Sequence, residues 1–269
     1  MYTNIYQKPT VTVLLPVFNG SKFLLKAINS ILHQTYKNFE FLIIDDFSTD
    51  NSLEIINSIL DYRLRIITNK TNIGLTKTLN KGLQLANGQY IARIDQDDTS
   101  VKDRLQKQMH YLEKIKSIKL IGSWCKIIDE NDQFIKSIHF PCDREEILEA
   151  FVSYNPFIHS SVVFDKNVAI NLGGYPKSFV HAQDFYLWYK ITSKFQSKNI
   201  SDELVNIRWH KQRATNSKFN SNYIRKESVY VYRLALKNPE IKFIVKLKGK
   251  IRLILRPWFF RKIFGFKAK

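Results

Sequence analysis

Val11-Thr-Val-Leu-Leu-Pro-Val-Phe-Asn-Gly20, continued by Ser21-Lys-Phe-Leu-Leu-Lys-Ala-Ile-Asn-Ser-Ile-Leu32, reads as a strand, a turn and an amphipathic helix. The β-branched and apolar run is stopped by Pro16 and by Asn19-Gly20, after which Phe23, Leu24, Ala27, Ile28, Ile31 and Leu32 recur at helical spacing. The pattern then repeats. Phe41 to Ile44 reads as a buried strand, Asp45-Asp46-Phe47-Ser48-Thr49-Asp50 as a polar loop, Leu53 to Leu60 as a helix and Arg65 to Thr68 as a strand. A third helix, from Thr76 to Ala86, stops at Asn87-Gly88, and a strand from Tyr90 to Ile94 follows. Alternation of this kind predicts an α/β fold, a mainly parallel sheet with helices on both faces. Ligands of such sheets lie beyond the carboxyl ends of the strands.

The second half is less regular. A helix over Val101–Lys116 leads to a hairpin, Leu120–Ile128 and Gln133–His139, turned by Glu130-Asn131-Asp132. A helix near Asp143–Ala150, a strand over Ser161–Phe164, a turn at Gly173-Gly174 and a helix over Asp184–Ser193 follow. From Tyr223 the chain reads as two helices separated near Asn238-Pro239.

With 269 residues, 44% of them hydrophobic, the chain can bury a core without disulfides or metals. Cys125 and Cys142 have no second Cys or His at metal-ligand spacing, which fits a reducing cytoplasm. The net charge of +18 implies an anionic partner. Residues 221–269 hold 14 Lys and Arg against 2 acids, so +12 of that charge is terminal. A nucleic-acid binder would instead need basic and aromatic residues across a recognisable module. The tail, bearing Trp258, Phe259, Phe260, Phe264 and Phe266 among cations, reads as an amphipathic segment for an anionic membrane surface. Met1 to Pro9 has no charged-then-apolar signal pattern, and no apolar run reaches the roughly 18–20 residues needed to span a bilayer.

Two acidic clusters stand at predicted strand ends, Asp45-Asp46 and Asp95-Gln96-Asp97-Asp98. Crowded carboxylates raise one another's pKa unless a cation is bound among them. Mg²⁺ or Mn²⁺ is typically held by one or two carboxylates, with phosphate and water completing the shell, so the cluster points to a phosphate-bearing substrate. A solvated acidic loop is the plain alternative. Asp95-Gln-Asp-Asp-Thr99 also matches the Asp-x-Asp-x-Thr of haloacid-dehalogenase-like phosphatases. That family carries the motif on its first strand with a later Gly-Asp pair, a dipeptide absent from this chain.

Six segments, in order, resemble the family 2 glycosyltransferases: Val13-Leu-Leu-Pro-Val-Phe-Asn-Gly20, Ile43-Ile-Asp-Asp-Phe-Ser-Thr-Asp50, Asn72-Ile-Gly-Leu75, Tyr90-Ile-Ala-Arg-Ile-Asp-Gln-Asp-Asp98, Asn155-Pro-Phe-Ile-His-Ser-Ser161, and Gln183-Asp184 with Leu187-Trp188. The resemblance spans about Thr10 to Thr215. It implies a GT-A fold over residues 1–220, followed by the basic helical segment 221–269. It also implies a metal-dependent transferase that moves a hexose or N-acetylhexosamine from a UDP-sugar to a hydroxyl of a glycan or lipid-diphosphate-linked acceptor, with Mn²⁺ or Mg²⁺. The setting would be lipopolysaccharide, capsule or similar surface-glycan assembly, at the cytoplasmic face of the plasma membrane.

Carried over residue by residue, the resemblance places uracil and ribose against Pro16, Phe18 and Asp46. Asp97 and Asp98 meet ribose and metal, with Asp98 the direct ligand, while Asp95 orients the loop and Arg93 is structural. His210, in Arg208-Trp-His-Lys-Gln212, approaches the diphosphate or metal, and His159 lies on the acceptor side. Asp184 is the general base; where the family usually has Glu before it, this chain has Gln183, which bears on acceptor preference. One base without a nucleophilic partner implies direct displacement and an inverted anomeric centre.

Overall fold

The opening repeat is realised as β1 (Val11–Val17), α1 (Ser21–Leu32), β2 (Phe39–Asp45), α2 (Ser52–Asn57), β3 (Leu64–Thr68), α3 (Leu75–Leu85) and β4 (Tyr90–Arg93). A computed structural model describes residues 8–210 and 220–263, with side chains over 8–210 and 225–253. β1 pairs in parallel with β2 and β4, and β2 with β3. Both β1 and β2 are buried along their whole length, as strands covered on two faces must be.

Alternation along these strands divides the core in two. Val11, Val13, Leu15 and Val17 of β1, with Phe41 and Ile43 of β2, pack with Leu24, Ile28 and Ile31 of α1. Leu14, Leu42 and Ile44 face the other way, into a cluster with Leu79 and Leu83 of α3.

Beyond β4 the sheet becomes mixed. β5 (Thr99–Ser100), α4 (Arg104–Lys114), β6 (Ile118–Ile128), β7 (Phe134–Ile138), α5 (Arg144–Ala150), a 3₁₀ turn (His159–Ser161), β8 (Val163–Asp165), α6 (Lys166–Asn171), α7 (Gln183–Thr192) and β9 (Gln196–Arg208) complete the body. The strand order is β3-β2-β1-β4-β8-β6-β9-β5, with β7 paired to β6. β8 runs antiparallel to β4 and β6, whereas β6 and β9 are parallel.

The two terminal helices are α8 (Asn220–Lys237) and α9 (Phe243–Ile263). α8 is no appendage. Val231, Tyr232 and Ala235 are at most 4% exposed and share a core cluster with Trp188 of α7. The Tyr189 hydroxyl donates to the Leu234 carbonyl at 3.1 Å, and Arg144 donates to both carboxylate oxygens of Glu240 at 2.7 and 3.0 Å. Apolar residues on one side of α8 thus enter the core of the body, while cations cover its other side. Gly249 lets α9 approach closely, since a Cβ there would lie 3.1 Å from Val152. α9 leaves Phe243, Ile244, Leu247 and Ile251 exposed. Trp258, Phe259, Phe260, Phe264 and Phe266 lie outside the residues whose side chains are described. Among the described residues no helix is long and apolar enough to cross a membrane.

Candidate active site

The carboxyl ends of β1, β2 and β4 open into a cleft of about 1110 Å³. Its lining includes every residue singled out above for donor, metal or base: Pro16, Phe18, Asp46, Asp95, Asp97, Asp98, Asp184 and His210. β1 pairs with β4 as far as Leu14 opposite Arg93, and Pro16 lies beyond that pairing.

On one side Phe18 is 44% exposed, which makes its ring a surface for stacking and not a core residue. Its backbone is fixed by Gln96: Phe18 N–H donates to Gln96 Oε1 at 2.8 Å, and Gln96 Nε2 donates to the Phe18 carbonyl at 3.0 Å. A Cβ on Gly20 would meet the Gln96 amide at 2.5 Å, so this lock requires glycine there. Asp46 is buried and accepts from Asn69 Nδ2 at 2.7 Å and from the N–H groups of Ile73 and Gly74 at 2.9 and 2.8 Å. Those three donors hold the loop that brings Asn72 and Gly74 to the cleft, with φ +85° at Gly74. A carboxylate offers about four acceptor positions, which leaves one on Asp46 for a ligand.

The acid loop is held from beneath by buried side chains. Asp98 is 0% exposed; its Oδ1 accepts the Arg208 N–H at 2.9 Å and its Oδ2 lies 2.5 Å from Ser160 Oγ. Asp95 pairs with the buried Arg93 guanidinium, and its Oδ2 lies 2.9 Å from the same Ser160 hydroxyl. Asp98 is thus anchored from beneath by Arg208 and Ser160 while it lines the cleft. Asp97 instead presents Oδ2 to His210 Nε2 at 2.8 Å at the edge of the cleft. The His210 ring rests on Phe23, with centroids 5.2 Å apart.

The electrostatic argument for a metal is also altered, because the protein brings its own counter-ions. Arg93, Arg104 and Arg208 are all fully buried beneath the acids. Arg208 Nε donates to the Asp97 carbonyl at 3.0 Å, its guanidinium meets Asp132 at 2.6 Å, and it lies 4.7 Å from the Phe23 ring centroid. Carboxylate crowding therefore does not by itself require a divalent ion.

The Asp97–His210 pair fits one through its donor set, an oxygen and an imidazole nitrogen side by side. Among the described residues no group of three or more His, Cys, Asp or Glu forms a closed metal cage. The pair could hold an ion only with further ligands from a diphosphate and water.

Across the cleft Asp184 sits in the first turn of α7, one residue inside the helix, with Ala182 at the N-cap. Asn155 Nδ2 donates to its Oδ2 at 3.0 Å. Burial, reinforced by the Asp95 charge, pushes the Asp184 pKa up to about 6, against the opposing pull of the Phe185 N–H and Asn155. Gln183 beside it is 3% exposed and lines the same cleft. His159 is held below, 3.1 Å from the Tyr175 hydroxyl; burial first, and then Arg93, lower its pKa to about 3. Its ring also lines the cleft. Ser160 is the hub that Asp95 and Asp98 share.

A pattern described as glycosyl transferase family 2 matches residues 12–175. The chain is a family 2 glycosyltransferase. This membership displaces the phosphatase reading of Asp95–Thr99. The glycosyltransferase is 32% identical to the O-antigen biosynthesis glycosyltransferase WbnJ of Escherichia coli, over 74% of this chain and 80% of that one. It is equally identical, at 32%, to the E. coli enzyme named UDP-Glc:alpha-D-GlcNAc-diphosphoundecaprenol beta-1,3-glucosyltransferase WfaP, over 68% and 70% of the two chains. In fold it resembles S. aureus TarS 1-349, solved with UDP-GlcNAc, with a TM-score of 0.75, 20% identity and coverage of 97% of this chain and 76% of that one. Like TarS, the glycosyltransferase has the GT-A architecture.

Reading the sequence missed Arg104, Arg208 and Asn155 as site residues. Arg208 stood two residues before the His210 already singled out, and Asn155 opened a matching segment; Arg104 gave no local signal.

Proposed function

We propose that this glycosyltransferase moves a hexose or N-acetylhexosamine from a UDP-sugar to a hydroxyl of a glycan or lipid-diphosphate-linked acceptor, with inversion, in surface-polysaccharide assembly. The observation that carries it is the juxtaposition in one cleft of Phe18, Asp46 and the Asp97–His210 pair with a carboxylate, Asp184, poised near pKa 6. The names of WfaP and WbnJ, and the UDP-GlcNAc bound to TarS, support the donor and pathway class.

Phe18 stacks on the uracil, and the remaining acceptor position of Asp46 takes its N3–H. Asp97 and His210 would hold Mn²⁺ or Mg²⁺, which would supply Lewis-acid stabilisation of the departing diphosphate. Asp184 accepts the proton of the acceptor hydroxyl, its rotation fixed by Asn155. Asp95 and Asp98 are occupied by Arg93, Ser160 and Arg208, so neither is placed to form a covalent sugar intermediate, and the anomeric centre inverts. The exposed Phe243, Ile244, Leu247 and Ile251 stripe of α9, beside Lys248 and Lys250, supports a location on the inner face of an anionic membrane.

The test is UDP release from UDP-glucose, UDP-galactose and UDP-N-acetylglucosamine with Mn²⁺ or Mg²⁺, repeated after EDTA. Turnover of at least one donor, lost on chelation, is expected; release from none of them, or release unchanged by EDTA, overturns the reading.

A base near pKa 6 makes kcat fall on the acid side with a midpoint near pH 6. Gln183→Glu adds a second buried carboxylate beside it, and like charges raise each other's pKa. The acid limb of the pH–rate profile is expected to move up by about one unit in that variant. An unmoved limb would show that the titrating group is not Asp184.

A further inference from the structure

The segment 175–182, which forms the cleft wall leading into α7, has little backbone pairing of its own; Phe179 N–H to the Pro176 carbonyl at 2.9 Å is its internal bond. Side chains from distant helices hold it. At its start Asn80 of α3 brackets Tyr175, accepting its N–H at 2.9 Å and donating to its carbonyl at 2.8 Å. Thr76 donates to the Phe179 carbonyl at 2.7 Å. At its end one carboxylate takes three consecutive amides: Glu227 of α8 accepts from Val180 at 2.7 Å, His181 at 2.9 Å and Ala182 at 2.8 Å.

Those amides immediately precede the first turn of α7, where the helix leaves its own N–H groups unpaired and its dipole favours negative charge. Helix caps are ordinarily supplied by a residue next to the helix. Here the acceptor for the amides that lead into the helix arrives from 45 residues downstream, on the basic C-terminal helix. Ala182, the N-cap, is the last residue that Glu227 grips, and Asp184 is two residues further on. Tyr232, on the same α8, lines the cleft and places its ring 5.3 Å from that of Phe185.

We propose that Glu227 is the positioning residue of the general base: by holding residues 180–182 it sets where α7 begins and hence where Asp184 stands against the acceptor hydroxyl. This rests on the assignment of Asp184 made above. It gives the terminal helices a part in the reaction: α8 closes the acceptor half of the site, while the donor half, built on β1, β2 and Asp46, is independent of it.

The test uses the full chain with Glu227→Ala and Glu227→Gln. Glutamine keeps one acceptor oxygen and turns an NH₂ toward the remaining amide, so it is the milder change. With the UDP-sugar on which the wild type is most active, kcat is expected to fall about 30- to 100-fold in the alanine variant, the scale of a misplacement of about 1 Å, and about tenfold or less in the glutamine variant. UDP affinity is expected to stay within about twofold in both, since the donor contacts are untouched. The acid limb of kcat should shift in the alanine variant, because the burial of Asp184 changes. Hydrogen exchange at 176–190 should quicken in that variant while β1–β4 is unchanged.

Two outcomes overturn the proposal: kcat within twofold of wild type in both variants, or UDP affinity falling in step with kcat while exchange rises across the chain. A wild type that turns over as fast as Asp184→Asn would instead sink the base assignment, and the exchange data would still report on the tether.

Discussion

Asp184→Asn is expected to lower kcat by about 10³-fold while UDP affinity stays within about twofold, because a positioned general base contributes about 10²–10⁴ and the nucleotide contacts lie on the other side of the cleft. The same variant should be more stable than wild type at neutral pH. Folding raises this carboxyl from its ordinary 3.8 to about 6, so the folded protein holds the proton that the unfolded chain has already released. Stability therefore declines as pH rises through that window, by at most about 3 kcal/mol for this one group. Asparagine removes the ionisation and can still meet Asn155. Thermal melts at pH 4 and pH 7 read this directly: the variant should gain on the wild type between the two. A variant that melts lower at pH 7 and retains turnover would place the base elsewhere.

Asp97→Ala is expected to reduce Mn²⁺-supported turnover by at least about 10²-fold, and His210→Ala by a smaller factor, since Lewis-acid stabilisation of the leaving diphosphate is worth several kcal/mol. The two variants should also weaken the dependence of rate on Mn²⁺ concentration. Asp98→Ala makes the contrast. Its carboxylate is fully buried under Arg208 and Ser160, so its loss leaves the buried Arg208 N–H without its acceptor and removes a negative charge that offsets the buried Arg104 guanidinium. The expected signature is a lower melting temperature with the Mn²⁺ half-saturation unchanged. Were Asp98→Ala to shift metal affinity while Asp97→Ala did not, Asp98 would be the metal ligand.

The first half of the fold was legible because its signals are local. β1, α1, β2 and α3 each carry their own period, and Asn87-Gly88 marks a real helix end. Strand ends located both acid clusters, and hence the cleft. β9, the longest strand at 13 residues, was not foreseen. Its buried Ile200, Leu204, Val205 and Ile207 do not alternate, because its pairing with β6 shifts register at Ser123/Trp124 and again at Trp124/Cys125. A broken register erases the period that a sequence reading depends on.

Within the site, residue types were readable and their partners were not. Asp95, Asp97 and Asp98 look equivalent in sequence. Their different fates are set by Arg93 two residues away, Ser160 more than sixty away and Arg208 more than a hundred away. Net charge is blind for a related reason: it counts the cations of α8 but not Val231, Tyr232 and Ala235, which tie that helix to α7.

The most direct check of single-base displacement is the anomeric configuration of the glycosidic product, read by NMR after transfer from an α-linked UDP-sugar. Transfer from Asp184-activated acceptor predicts a β-linked product. A product that retains the α configuration would contradict it, since retention requires a second group at the anomeric carbon that the arrangement of Asp95 and Asp98 does not supply.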